Sequence, residues 1–502
     1  MNNQYLLLLG LGLLLLFSSQ KAAEPPRSTT SNLLSTEHTR LIDSLFLDFS
    51  ANRPGATVMI AKGDQLLFCK SYGQIDLDGS KQATNDTRYH LASASKQFTA
   101  MAILQLVEAG KIGLSTSLQE VFPAFPEYGK LITIQHLLTH QSGLAEINPP
   151  KKEENAGLMT DSYRLEQLML LDSLQFVPGT ACEYNNTGYS VLAEIVRKIS
   201  GMEFGIYMEQ EIFSKIGMTG TIYYSEAATT NVGYHILSDT IVRAPGARDE
   251  TKGSGSVYTS ANDYFKWHLA LCSDKLLAPD LLSQAFTPQA GTKNRWGTYG
   301  YGWYTMEHGG YPYVEHGGIT QSAGFISFTA RIPQEKITVA IFTNRAWTRA
   351  NTPSQNIGKR AKVLLSIASE GHFSMPTLSD IDPEPKHSLA QVLIDEVLTN
   401  GIDAGMTLFA ALKSSDKYYL NEKEMNQVGY ALINNNQIKA AIKVFEANVE
   451  LFPDSWNVYD SLAEAYMING DKELSLKSYQ QSLTLNPQNE NATKQMAKLS
   501  NK

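Results

Sequence analysis

Two hairpin-like segments at opposite ends of residues 37–370 do most to limit what this chain can fold into. In the first, TVMIA and QLLFCKSYG flank Lys62, Gly63 and Asp64; in the second, AGFISFTARI and KITVAIFTN flank Pro333, Gln334 and Glu335. β-Branched and aromatic residues on either side of a short turn specify paired antiparallel strands. Between the hairpins lie helix-like stretches, among them QFTAMAILQLVEAG, which is apolar nearly all round and is expected to be buried on more than one side. Strands at both ends with helices between imply an α+β fold. Its antiparallel sheet would be closed by the two extremities of the segment and flanked by helices, with a helical subdomain inserted. The composition can sustain such a core. Of 502 residues, 43% are hydrophobic and 18% charged, which is not the signature of disorder, and the length allows about three domains.

Lys+Arg number 42 against 50 Asp+Glu, a net charge of −8 with no basic run, so no nucleic-acid partner is expected. Three cysteines, Cys69, Cys182 and Cys272, are too few and too odd in number for a disulfide scaffold. Residues 6–17, LLLLGLGLLLLF, form an apolar run of 12, shorter than the ~20 residues of a spanning helix, and are followed by SSQKAAEPP. This pattern reads as a signal peptide over residues 1–22, and hence as an exported, periplasmic protein; an uncleaved anchor is the alternative. MPTLSDIDPEPKHS marks a linker over 371–387.

Beyond the linker, over 388–502, the pattern turns helical and repeats itself. An offset of 34 superposes Pro453 on Pro487, Leu432 on Tyr466, Phe445 on Tyr479 and Leu451 on Leu485. Two helices per period with a closing Pro resemble the tetratricopeptide repeat, and residues 388–420 read as a further, degenerate pair. Such repeats stack into a concave surface, so a protein partner or self-association through this region is expected.

Three short elements carry candidate chemistry. Ser93-Ala94-Ser95-Lys96 stands at the entry to the buried helix. Residues three apart on a helix share a face with Cβ atoms roughly 5–6 Å apart, which brings a lysine amine to a serine hydroxyl. A serine nucleophile needs a neighbouring base, and a desolvated lysine can serve. The same spacing recurs at Ser18/Lys21 and Ser414/Lys417, so the weight rests on the apolar helix after Ser93. Tyr184-Asn185-Asn186 precedes the helix GYSVLAEIVRKISG. A phenol can shuttle a proton and an Asn amide can hold both lysine and substrate; the plain alternative is a helix cap at Asn186 or Thr187. His316-Gly317-Gly318 precedes the strand AGFISF, and its glycines would let a substrate backbone approach a strand edge. Its twin, His308-Gly309-Gly310, reads as a hairpin turn between GYGWYTM and YPYVEH. His136 and His140 have no acidic or third ligand nearby in sequence and read as structural residues, and Cys182 reads as a small buried one.

In the order SASK, YNN, HGG these elements resemble the penicillin-recognising serine hydrolases, a group that includes class C β-lactamases, D-alanyl-D-alanine peptidases, D-aminopeptidases and related esterases. ITIQHLLTHQSGL (132–144), GSGSVYTSANDYFKW (253–267) and HGGITQSAGFISF (316–328) are similar to family segments in the same order. The resemblance implies a β-lactamase-like serine hydrolase domain over 37–370, with Ser93 as acylated nucleophile, Lys96 as its proton partner and Tyr184 as general acid or base. It further implies that Asn186 orients Lys96 and substrate, and that His316, Gly317, Gly318 and Ile319 line the substrate. The backbone N–H groups of Ser93 and Ile319 would form the oxyanion hole. His316 stands where β-lactamases usually carry a lysine, which ranks amidase or peptidase above β-lactamase. Neither metal nor other cofactor is implied. The expected activity is that of an exported serine hydrolase cleaving a D-amino-acid peptide, amide or small ester. The alternatives are a β-lactamase and a non-catalytic scaffold that binds through its repeats.

Overall fold

In the computed structural model the first hairpin and the last become neighbours. The described residues are 33–49, 52–148, 159–223, 232–237, 240–244, 251–320, 322–347, 353–371, 387–415, 418–434 and 436–500. The leader over 1–22 and nearly all of the linker over 371–387 lie outside them. Seven strands form the main sheet: β1 (Ala56–Lys62), β2 (Gln65–Tyr72), β3 (Thr298–Tyr299), β4 (Tyr304–His308), β5 (Tyr311–Thr320), β6 (Phe325–Ile332) and β7 (Ile337–Thr343). Their order is β3-β4-β5-β6-β7-β1-β2, antiparallel throughout. Ala56 pairs with Thr343 and Lys62 with Ile337, so the two extremities of the segment close the sheet as the sequence pattern required.

The strands at that junction are buried on both faces, and their alternation divides the core in two. Val58, Ile60, Val339 and Ile341 face one core with Ile42 and Leu45 of helix α1 (Thr36–Leu45), while Met59, Ala61, Ala340 and Phe342 face the other. Period-two alternation with apolar residues at both parities is what a sheet covered on both faces demands. The second core holds α2 (Lys96–Glu108), α3 (Asn186–Ser200), α4 (Ala261–Ala270) and α5 (Pro279–Ala285). Helix α6 (Pro353–Ala368) returns to the first core through Ile357, Ala361 and Leu364. Helix α2 is buried on every side along its first nine residues, Lys96 included, as its all-round apolar pattern implied.

His308-Gly309-Gly310 is a hairpin turn between β4 and β5, with Gly309 at φ 58° and Gly310 at φ 84°. Two successive positive φ values match the twist of the flanking strands and favour glycine at both places.

The C-terminal region is built of helix pairs: Leu389–Asn400 with Ile402–Leu412, Glu422–Asn434 with Ile438–Leu451, and Trp456–Asn469 with Lys472–Leu485, followed by Glu490–Ser500. Residues at matching repeat positions are buried, Leu432 with Tyr466 and Phe445 with Tyr479. Leu451 is half-buried whereas its counterpart Leu485 is 37% exposed. A short parallel pairing of His387–Ser388 with Tyr418–Tyr419 departs from the purely helical expectation.

Candidate active site

Ser93 sits in a short 3-10 turn, Ala92–Ser95, that runs directly into α2. Ala92 has φ 48°, a left-handed conformation that costs energy for a residue with a Cβ and turns the chain sharply just before Ser93. One turn on, Lys96 is 0% exposed. Its Nζ donates to Asn186 Oδ1 at 2.8 Å and to the Ser254 carbonyl at 2.8 Å, and lies 3.4 Å from Ser93 Oγ. The same nitrogen is 4.8 Å from the Tyr184 ring centroid and 5.4 Å from that of Tyr189.

Tyr184 and Asn186 come from the entry to α3. Asn185, rather than Asn186 or Thr187, is the cap: its Oδ1 accepts from the Gly188 N–H at 2.6 Å. Capping by Asn185 leaves the Asn186 side chain to meet Lys96, while the Asn186 N–H donates to Glu146 Oε2 at 2.6 Å. The Tyr184 hydroxyl is buried and, among the described residues, lacks a partner at hydrogen-bonding geometry. Burial raises its pKa above the usual phenol range; proximity to Ser93 opposes this in part, and the Glu146 charge adds a smaller upward push. Tyr184 is therefore a phenol at neutral pH.

His316, on β5, is 1% exposed. Its Nδ1 faces the Gly317 carbonyl at 2.8 Å, and a carbonyl only accepts, so Nδ1 carries the proton. Nε2 then accepts from the Tyr299 hydroxyl at 3.0 Å. Burial, reinforced by the Lys96 charge, pushes the His316 pKa down to about 3, so the ring is neutral. Gly318 answers to a different need from the one its sequence suggested. A Cβ there would lie 2.0 Å from the Leu91 carbonyl and 2.9 Å from the Ser93 nitrogen, so the glycine lets β5 close on the Ser93 turn rather than on a substrate. Ile319 follows at the cleft with 43% of its surface exposed.

Ser93, Tyr184, His316, Gly317, Gly318 and Ile319 line one cavity of about 530 Å³, and Ser93, Asn186 and Ile319 also line a second of about 460 Å³. Sequence reasoning missed several neighbours: Trp296, Tyr304, Glu315, Lys359 and Lys362 in the first cavity, and Arg164 in the second. The aromatic run TYGYGWY before the HGG strand was the signal for Tyr299 and Tyr304. His136 and His140 do separate structural work: His136 Nδ1 accepts from the Thr133 N–H, and His140 Nδ1 accepts from the Asn185 N–H. Cys182 is half-buried rather than buried, and its thiol pKa is raised by burial.

Residues 42–361 match the beta-lactamase family model, and residues 457–489 match the tetratricopeptide repeat. Penicillin-binding protein 4* of Bacillus subtilis (strain 168) is 28% identical over 267 residues, covering 49% of this chain and 58% of that protein. The chain thus spans less than two thirds of that relative. The octameric penicillin-binding protein homologue from Pyrococcus abyssi superposes with a TM-score of 0.56 at 22% identity, covering 72% of this chain and 81% of that one. A class C beta-lactamase superposes with a TM-score of 0.55 at 18% identity, covering 66% and 96%. Both likenesses concern the fold. With the family model matched across more than half of its length, this chain belongs to the beta-lactamase family and carries a tetratricopeptide repeat behind the family domain.

Proposed function

We propose that the protein is an exported serine hydrolase that cleaves a D-amino-acid peptide, amide or small ester through an acyl-enzyme on Ser93. The observation that carries this reading is Lys96, whose Nζ is fixed by two acceptors at 2.8 Å with Ser93 Oγ at 3.4 Å. In the reactive form Lys96 has given up one proton; its two remaining N–H groups serve Asn186 and Ser254 and its lone pair faces the serine hydroxyl. Lys96 then takes that proton as Ser93 attacks, and the Tyr184 phenol delivers one to the leaving group. The N–H groups of Ser93 and Ile319 hold the developing oxyanion, and water releases the acyl group.

Neutral His316, with both ring nitrogens engaged, supplies no cation of its own to a substrate carboxylate and so supports an uncharged amide or ester; a substrate with a carboxylate, whether a D-Ala-D-Ala peptide or a β-lactam, would depend on Lys359 or Lys362, which line the same cavity. Export rests on the apolar leader alone. The repeat region is read as the surface for a protein partner. Parallel assays of D-Ala-D-Ala peptides, D-amino-acid amides, p-nitrophenyl esters and nitrocefin test the substrate class. Turnover of an amide or ester by the wild type and not by Ser93→Ala is expected; turnover of nitrocefin alone contradicts the reading.

A further inference from the structure

His140 closes the short helix Ile134–Leu138 in a conformation that glycine commonly supplies. Its φ is 60°. The Gln141 N–H donates to the His136 carbonyl at 2.8 Å and the His140 N–H to the Leu137 carbonyl at 3.4 Å, the two bonds of a Schellman close, whose left-handed residue is His140. A residue with a Cβ is less at ease there than glycine, and strain of this kind gathers at sites where the side chain has work to do.

What His140 holds is the segment that carries Tyr184. The Glu183 N–H donates to the His140 carbonyl at 3.0 Å, and the Asn185 N–H donates to His140 Nδ1 at 3.2 Å. One buried residue thus accepts from the amides immediately before and after Tyr184. Its imidazole also lies against the phenol, with ring centroids 4.4 Å apart. The far end of the phenol has no such hold, because the Tyr184 hydroxyl lacks a partner at hydrogen-bonding geometry among the described residues. Its place beside Ser93 and Lys96 is therefore set through its backbone and its ring. Since Nδ1 of His140 accepts, Nε2 carries the ring proton, and Nε2 is buried without a partner among the described residues. Glycine at 140 would avoid both the orphaned N–H and the strain.

We propose that His140 is the positioning residue of Tyr184: its carbonyl and Nδ1 clamp the main chain on both sides of the phenol and fix where the phenol stands relative to Ser93. The inference rests on the reading of Tyr184 as proton donor to the leaving group, and it names the residue on which that donor's alignment depends. Misplacement of a reacting group by about 1 Å costs on the order of 10²-fold in rate.

Variants of the full-length protein, assayed on a D-amino-acid amide and a p-nitrophenyl ester, test it. His140→Phe keeps a ring and loses the side-chain acceptor; it should lower kcat for the amide about 10–10²-fold, with KM little changed and the ester far less affected. His140→Asn can set its Oδ1 where Nδ1 stands and should recover most of the loss. In a Tyr184→Phe background His140→Phe should add nothing, because the donor that it aligns is gone. His140→Gly, which relieves the left-handed strain and also lacks the acceptor, takes the place of His140→Phe should that variant not fold, with the same losses expected. Hydrogen exchange of the peptide that holds Asn185, read by mass spectrometry, needs no substrate: it should quicken in His140→Phe and not in His140→Asn. Absence of turnover by the wild type would count against the hydrolase reading, and the exchange measurement would still decide the clamp. An undiminished amide kcat in His140→Phe, equal losses on amide and ester, no recovery in His140→Asn, additive losses with Tyr184→Phe, or unchanged exchange at Asn185 overturns the proposal.

Discussion

A methyl group on Gly318 would stand 2.9 Å from the Ser93 amide nitrogen, so β5 and the nucleophile turn meet at a distance that only glycine permits. Gly318→Ala is expected to push the two apart and to misalign the N–H groups of Ser93 and Ile319 that we propose as oxyanion donors. Loss of one such donor costs about 10²–10³ in kcat. A fall of that order in ester turnover, with the far-ultraviolet circular dichroism unchanged, is the expected result; full activity would show that the contact positions nothing.

As the proposed proton donor to the leaving group, Tyr184 should matter more for some substrates than for others. An amide nitrogen must be protonated to depart, whereas p-nitrophenolate leaves without help. Tyr184→Phe should therefore lower kcat/KM for an amide by about 10²–10⁴ and for a p-nitrophenyl ester far less. Equal losses on both substrates would assign Tyr184 to another step.

Buried histidines set the acid limit of stability. Burial pushes His90 and His316 down to about 3 and His268 to about 4, from an ordinary value of 6.5. Below pH 6.5 the unfolded chain takes up protons that the folded one refuses. Their contribution is whole above pH 6.5 and is lost as pH falls toward 4. Urea midpoints measured from pH 7 to pH 4.5 should fall, and the fall should be shallower in His268→Gln.

Asp48 holds two buried guanidinium groups. Arg345 and Arg360 both reach its carboxylate, Arg360 at 3.0 Å, and both are almost wholly buried. Asp48→Ala leaves two cations facing one another without that carboxylate and should destabilise the fold by about 3–5 kcal/mol in chemical denaturation.

The sheet was legible because hairpin signals are local: strand, turn and strand lie within twenty or so residues, and Ile60 and Ile341 advertise their faces by alternation. The spacing of Ser93 and Lys96 was legible for the same reason, since one helical turn sets it. What could not be read was whatever depends on long-range closure. The need for glycine at 318 comes from Leu91 and Ser93, far away in the chain. The neutral state of His316 comes from burial and from the charge of Lys96, far away in the chain. Arg164 reaches the cleft from a helix whose sequence carries no catalytic pattern. Capping by Asn185 rather than its neighbours follows from one side chain's hydrogen bond to Gly188, which three adjacent polar residues leave undecided in sequence.

Mass mapping of the residue that a fluorophosphonate probe modifies tests the central claim most directly. The adduct is expected on the peptide that contains Ser93, with none formed in Ser93→Ala. An adduct on another residue, or undiminished labelling of Ser93→Ala, would contradict it.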